Sequence, residues 1–315
     1  MFEVFGVSSQ ALFGQLLIGL INGSFYALLS LGLAVIFGML NIVNFAHGAQ
    51  YMLGAFCAFF LLNGVDLPVP VLAWPPTVTF VRFTPGLNYW WALVLAPIIV
   101  GASGIVLERL LLRWIYRLDH LYGLLLTFGL ALIIEGVFRN YFGSSGMPYA
   151  VPPSLQGGQN LGFMFLPNYR AWVIAFSLIV CLATWFVIER TKLGAYLRAA
   201  TENPTMVRAF GINVPRMITL TYGFGVALAA LAGVMAAPIY NVSPQMGANL
   251  IIVVFAVVVI GGMGSILGAI VTGFGLGLIE GLTKVFFPEA SNTVIFVIMA
   301  IVLLLRPAGL FGRGA

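Results

Sequence analysis

The residues able to do chemistry are few, and the densest group lies in Asn22–Gly54, NGSFYALLSLGLAVIFGMLNIVNFAHGAQYMLG. Asn22, Asn41, Asn44, His47 and Gln50 alternate there with Gly23, Gly32, Gly38, Gly48 and Gly54. Small residues let membrane helices approach closely, and buried amides bridge helices by hydrogen bonds. Asn41–Gly48 has few charges but many donors and acceptors, which suits an interrupted helix lining a polar path. Two readings follow for Asn22, Asn41, Asn44, His47 and Gln50: a translocation path, or amides that bond helix to helix. His47 has no histidine or cysteine cluster around it in sequence, so it reads as a packed, hydrogen-bonded side chain and no metal site is expected.

Acidic groups inside apolar runs are costly and point to function by default. Glu135 and Arg139 stand four apart and suit an intrahelical pair near a helix end. Glu280 is more isolated, and its place near a helix end suggests that it faces water. An ion-coupled carrier would be expected to keep acids near the midplane, and none stands out. Catalytic templates are absent as well: there is no G-x-S-x-G, no H-E-x-x-H, no Cys-x-x-Cys and no G-x-x-x-x-G-K-[ST]. Neither an enzyme nor an ATP-binding subunit is expected, and no cofactor is implied.

The second informative stretch, Glu189–Arg216, is basic: Arg190, Lys192, Arg198, Arg208 and Arg216 stand against Glu189 and Glu202. Asn203 can cap a helix N-terminus, and Pro204 suits its first position because the missing N–H has no partner there anyway. Gly211 fits the left-handed residue past the end, and Pro215 hinders early resumption. The spacing predicts one short helix, Pro204–Phe210, with Met206, Val207 and Phe210 on one side. Two turns are not stable alone in water, so another protein is expected to receive them.

Elements that position these residues follow from composition. The chain is 61% hydrophobic and only 7% charged, against about a quarter charged in soluble domains, so it is read as an all-α polytopic membrane protein. Apolar runs fall at 11–38, 46–62, 90–111, 121–141, 171–188, 217–239, 249–284 and 292–305. The seventh is interrupted by Gly261-Gly262-Met263-Gly264-Ser265, giving eight or nine crossings with interrupted helices in a single transmembrane domain, 1–315. The start, MFEVFGVSSQ, lacks a positive region and a cleavage site, so the first run is expected to stay. Arg109, Arg113, Arg117, Arg190, Lys192, Arg198, Arg208, Arg216, Arg306 and Arg313 share one side, leaving Arg82, Arg139, Arg170 and Lys284 opposite. That bias places 189–216 in the cytoplasm and the N-terminus outside. The net charge of +5 lies in loops between spans and is no nucleic-acid signature. Cys57 and Cys181 sit in apolar runs and read as packing residues. Loops 63–89 and 143–170, rich in Pro, Gly and aromatics, are expected as connectors or as an outer cap.

Four motifs in order carry a resemblance. Asn22–Ala55 looks like the N-terminal signature of branched-chain amino-acid permeases of ABC importers, the LivH-type subunit. Arg190–Arg216, RTKLGAYLRAATENPTMVRAFGINVPR, is similar to that family's cytoplasmic loop, and Ala256–Glu280 and Leu303–Arg313 to its C-terminal region. The likeness runs from about Gly19 to the end and is weakest in loops 63–90 and 143–170. It implies an ABC importer permease fold in a bacterial inner membrane. It also implies two cytoplasmic ATPase subunits that use the ATP, a second and related permease subunit, and an extracytoplasmic substrate-binding protein. The coupling segment carries over onto Arg198, Ala199, Glu202, Pro204, Arg208 and Gly211. Arg198 and Arg208 then become candidates for ion pairs with an ATPase, and Met206 and Phe210 for its apolar groove. Where several family members carry an acid after His47-Gly48, this chain has Ala49. Urea or a short amide is therefore an alternative cargo, and a self-sufficient secondary carrier is the alternative of a different class.

Overall fold

The computed structural model describes residues 3–4, 7–40, 43–71, 77–83, 85–116, 118–162 and 164–312, with backbone alone at 3–4, 7, 39, 65–71, 77–83 and 120. Asn41, Arg117 and Arg313 lie outside the described residues. The chain is mostly helical: α1 (Ser9–Leu40), α2 (Ala46–Asn63), α3 (Tyr89–Leu107), α4 (Arg113–Ile115), α5 (His120–Phe142), α6 (Asn168–Arg190), α7 (Lys192–Glu202), α8 (Pro204–Ala209), α9 (Val214–Tyr240), α10 (Met246–Gly261), α11 (Ile266–Phe286) and α12 (Val294–Leu305). A π-helical turn at Glu108–Leu112 joins α3 to α4.

Among the described residues, six helices are long and apolar enough to cross a membrane: α1, α3 with its continuation to Ile115, α5, α6, α9 and α11. Shorter apolar helices α10 and α12 and the 18-residue α2 accompany them. The break at 261–265 is therefore real. Gly262 and Gly264 take φ of +100° and +83°, where an L side chain is strained. Ser265 then caps α11, accepting from Gly268 N at 3.1 Å.

The sequence-based reading of a purely helical chain needs one correction. Hairpins β1–β2 (Glu3–Val4, Val7–Ser8), β3–β4 (Val65–Val71, Thr77–Phe83) and β5–β6 (Gly158–Asn160, Phe165–Pro167) are antiparallel. Two of them occupy loops expected as connectors. In β3–β4 the residues VDLPVPV place apolar side chains at every second position around Asp66, and TVTFVRF is rich in β-branched and aromatic residues, as suits strands.

The core forms because α1 can be approached on several sides. Gly19, Gly23 and Ala27 recur every fourth residue on α1, as do Gly273, Gly277 and Gly281 on α11. The two ladders lie backbone to backbone: a Cβ added at Gly277 would stand 2.4 Å from Gly19 O and from the Gly23 Cα. In lipid, where burial of apolar surface gives no helix–helix driving force, such close packing provides the attraction. Around this centre α2 and α9 meet in the same way at Gly54 and Gly233. By contrast, α5 leaves Leu121, Leu125, Leu132 and Ile133 exposed and α6 leaves Ile179 and Phe186 exposed, as suits helices against lipid or another subunit.

Candidate functional site

At the end rich in Lys and Arg, a helical hairpin forms where the sequence suggested one short helix. The extra element, α7, buries Gly194, Leu197 and Ala200 at three-residue spacing while its other face stays exposed. Gly194 is required by the α6–α7 turn, because a Cβ there would lie 1.6 Å from Ile188 O. Arg198 does not project as a free cation. Its Nη1 donates to Ile188 O at 3.1 Å and to Glu189 Oε2 at 3.4 Å, so it caps the end of α6 and ties α7 to it.

The next turn behaves as its residues dictate. Asn203 Oδ1 accepts from Met206 N at 2.9 Å, with Pro204 in the first turn of α8. Gly211, at φ +82°, lets Ile212 N reach back to Val207 O at 3.4 Å. Pro215 does not delay the next helix. It sits inside the first turn of α9, where no backbone bond is lost, and Asn213 Oδ1 caps that helix by accepting from Arg216 N at 3.1 Å. The expected apolar face divides. Val207 is buried with Ala200 and Val214, whereas Met206 is 59% and Phe210 76% exposed. Glu202, Pro204, Arg208 and Gly211 are exposed beside them.

The polar residues of Asn22–Gly54 separate into two places. Asn44 Nδ2 and Gln50 Nε2 both donate to Tyr222 Oη on α9, each at 3.0 Å. His47 Nε2 donates to Leu29 O at 3.0 Å, and Thr127 Oγ1 accepts from Phe45 N at 3.2 Å. Asn44, His47 and Gln50 are fully buried and none of them lines a described cavity. Asn44 Oδ1, His47 Nδ1 and Gln50 Oε1 have no hydrogen-bond partner among the described residues. This knot joins α2 to α9, α1 and α5.

Asn22 lies elsewhere, within the N-terminal half of α1, on a cavity of about 330 Å³ that Tyr26, Tyr51, Tyr240 and Asn249 also line. Behind it stands Glu280, which does not face water as its position suggested but is 4% exposed. Its carboxylate accepts from Asn22 Nδ2 at 3.2 Å and Tyr26 Oη at 2.7 Å, and Lys284 Nζ pairs with it from the next turn of α11. Tyr240 Oη donates to Asn22 Oδ1. Glu135 and Arg139 form the expected i,i+4 pair. Ala49 lines a second cavity, about 250 Å³, with Phe45, Phe128 and Glu135.

Sequence reasoning passed over Glu108 and the tyrosines. Glu108, 1% exposed, accepts from Tyr116 Oη at 2.9 Å and Thr219 Oγ1 at 2.8 Å. Its signal was a lone acid at the end of an apolar run, masked by Arg109 and Arg113 beside it.

The family described as branched-chain amino acid transport system / permease component matches residues 15–303. The chain is 29% identical to the high-affinity branched-chain amino acid transport system permease protein LivH of Escherichia coli K12, over 95% of each chain. It is 30% identical to LivH of Salmonella typhimurium, again over 95% of each. Identity is also 30% with the permease protein BraD of Pseudomonas aeruginosa, over 95% of both.

Proposed function

The chain belongs to the family of branched-chain amino-acid transport permeases, and from that premise we propose that it forms the channel for branched-chain amino acids in an ABC importer. It is an integral membrane protein and an ABC permease subunit without an ATPase site of its own. ATP is hydrolysed by two separate subunits on the cytoplasmic side. A second, related permease completes the channel, and an extracytoplasmic protein delivers the cargo across a bacterial inner membrane. The chain crosses nine times, through α1, α2, α3, α5, α6, α9, α10, α11 and α12, with its start outside and the α7–α8 hairpin in the cytoplasm.

The observation that carries this reading is the exposed pair Met206 on α8 and Phe210 at its end, held outward while Val207 anchors the same helix to α9. Large apolar side chains presented on a capped, two-turn helix at a basic membrane face suit the groove of a partner. The hairpin is fastened to α6 by Arg198 and to α9 through Val214, so a push on α8 reaches two spans. Closure of the ATPases biases the spans between outward and inward states by that differential contact. Arg208 and Glu202 supply exposed charges at its rim, whereas Arg198 acts within the hairpin. On the cargo side, Asn22 belongs to the outer mouth, and Asn44, His47 and Gln50 to the closed inner section.

The test is reconstitution of the chain with its ATPases, second permease and delivery protein. ATP-dependent L-leucine uptake is expected, abolished when the ATPase's catalytic carboxylate is removed. Uptake by the chain alone, driven by an ion gradient, would replace the importer with a secondary carrier.

A further inference from the structure

The cavity at the outer mouth has a directional hydrogen-bond chemistry. Glu280 only accepts, and it takes the Tyr26 hydroxyl proton and one Asn22 amide proton. Asn22 Oδ1 in turn takes the Tyr240 hydroxyl proton. The two hydroxyl protons and one Asn22 amide proton therefore run toward the carboxylate, and the second Asn22 N–H remains. What Tyr26 and Tyr240 still offer the cavity they line is lone pairs. Tyr51, 1% exposed, lines the same cavity and its hydroxyl makes no hydrogen bond among the described residues, so it is free to donate or accept.

The rest of the lining combines apolar Phe25, Met246 and Leu250 with polar Ser243 and Asn249. The volume, about 330 Å³, lies within the range of small-molecule sites, roughly 300–1,000 Å³. A primary ammonium is a donor with no acceptor, so it complements oriented phenol lone pairs backed by a buried carboxylate. A carboxylate would meet the Tyr26 and Tyr240 lone pairs as repulsion and would need the donors Tyr51, Ser243, Asn249 or the second Asn22 N–H.

We propose that this cavity is a substrate subsite that seats the ammonium group of an amino acid against Tyr26 and Tyr240, its aliphatic side chain against Phe25, Met246 and Leu250. Tyr51, Ser243 and Asn249 are the donors left for the carboxylate. The inference rests on the importer reading and specifies where that importer recognises its cargo.

The test is equilibrium binding of radiolabelled L-leucine to the assembled permease–ATPase complex in nanodiscs. L-leucinamide, which keeps the ammonium, and 4-methylpentanoate, which keeps the carboxylate and side chain, are the competitors. Leucinamide is expected to compete at least tenfold better, the factor of about ten or more that a hydrogen bond to a charged group supplies. Tyr240→Phe should shrink that ratio by about tenfold. A ratio near one in the unmodified complex, no saturable leucine binding, or a ratio that Tyr240→Phe leaves unchanged overturns the proposal. The competition in the unmodified complex decides the matter even if the variant fails to assemble. ATP-driven leucine uptake with the delivery protein separates the two levels. Uptake with a flat ratio sinks this subsite alone, while no ATP-dependent uptake sinks the importer reading and the subsite with it.

Discussion

The two polar clusters use the same side chains to opposite ends. At the inner knot, amides of Asn44 and Gln50 converge on the Tyr222 hydroxyl, with no charge among them and no described cavity lined by either amide. At the second cluster, Asn22 and Tyr26 donate to Glu280 and Tyr240 donates to Asn22, and all three line a cavity of about 330 Å³. A tyrosine facing packed protein is a bolt; a tyrosine whose proton is already committed and which faces a void is a receptor. Residue type did not separate them. The direction of the protons and the presence of a void did.

The largest effect should come from the charge that organises the outer cluster. Glu280→Ala leaves the Lys284 ammonium, the Tyr26 hydroxyl and an Asn22 amide proton without their acceptor. Breaking a buried pair costs about 3–5 kcal/mol, and Lys284 is partly exposed, so a loss near the lower end, about 3 kcal/mol, is expected in an unfolding titration with SDS. Glu280→Gln, which keeps an acceptor, should lose less. Equal losses would mean that the charge, which both variants remove, sets the stability, and not the acceptor or volume that Gln keeps.

Next in size is Tyr222→Phe, which removes the shared acceptor of two buried amides. An unsatisfied buried donor costs about 1–3 kcal/mol, so the same titration should show a drop of about 2 kcal/mol. Leucine affinity of the complex should not move, because the knot does not line the outer cavity. Tyr240→Phe should do the reverse: leucine affinity falls about tenfold with less change in stability, since Tyr240 is 45% exposed. If both variants lose affinity and stability together, the contrast between bolt and receptor fails.

How far the sequence foretold this follows range of interaction. Asn203, Pro204 and Gly211 were legible because caps and a positive φ are settled within a few residues. The six long apolar helices were legible for a similar reason: an apolar run of membrane length needs no knowledge of its neighbours. The bonds of Arg198 within the hairpin were not legible because they depend on how sharply α6 turns into α7, which Gly194 decides through a backbone contact. Glu280 looked solvent-facing because its place near a helix end says nothing of Tyr26, 254 positions away. Tyr26, Tyr51, Tyr222 and Tyr240 drew no notice since a tyrosine in an apolar run also reads as packing. Asn41, expected on the path, lies outside the described residues.

A smaller effect is expected at the hairpin. Gly211→Val forces a β-branched residue into φ +82°, at a cost of about 1–2 kcal/mol. Nothing lies within 4 Å of the space a Cβ would take, so the cost is conformational and local. Leucine-stimulated ATP hydrolysis should fall while leucine binding in nanodiscs stays. Unchanged stimulation would mean that the end of α8 need not be held for coupling.

The smallest effect tests the comparison from the other side. Arg139–Glu135 and Lys284–Glu280 are both i,i+4 pairs, yet Arg139 is about half exposed, whereas Glu280 is buried beneath two further donors. An exposed pair of this kind contributes about 0.3–0.5 kcal/mol, so Arg139→Ala should scarcely shift the SDS titration. Glu135 also lines the second cavity, beside Ala49, and there the analogy could close. A loss several times larger than expected, accompanied by weaker leucine binding, would mean that Glu135 is held by its arginine for the same purpose that Glu280 is held by its lysine. The chain would then present two carboxylate-backed cavities, and Ala49 would mark an acid moved from one helix to its neighbour.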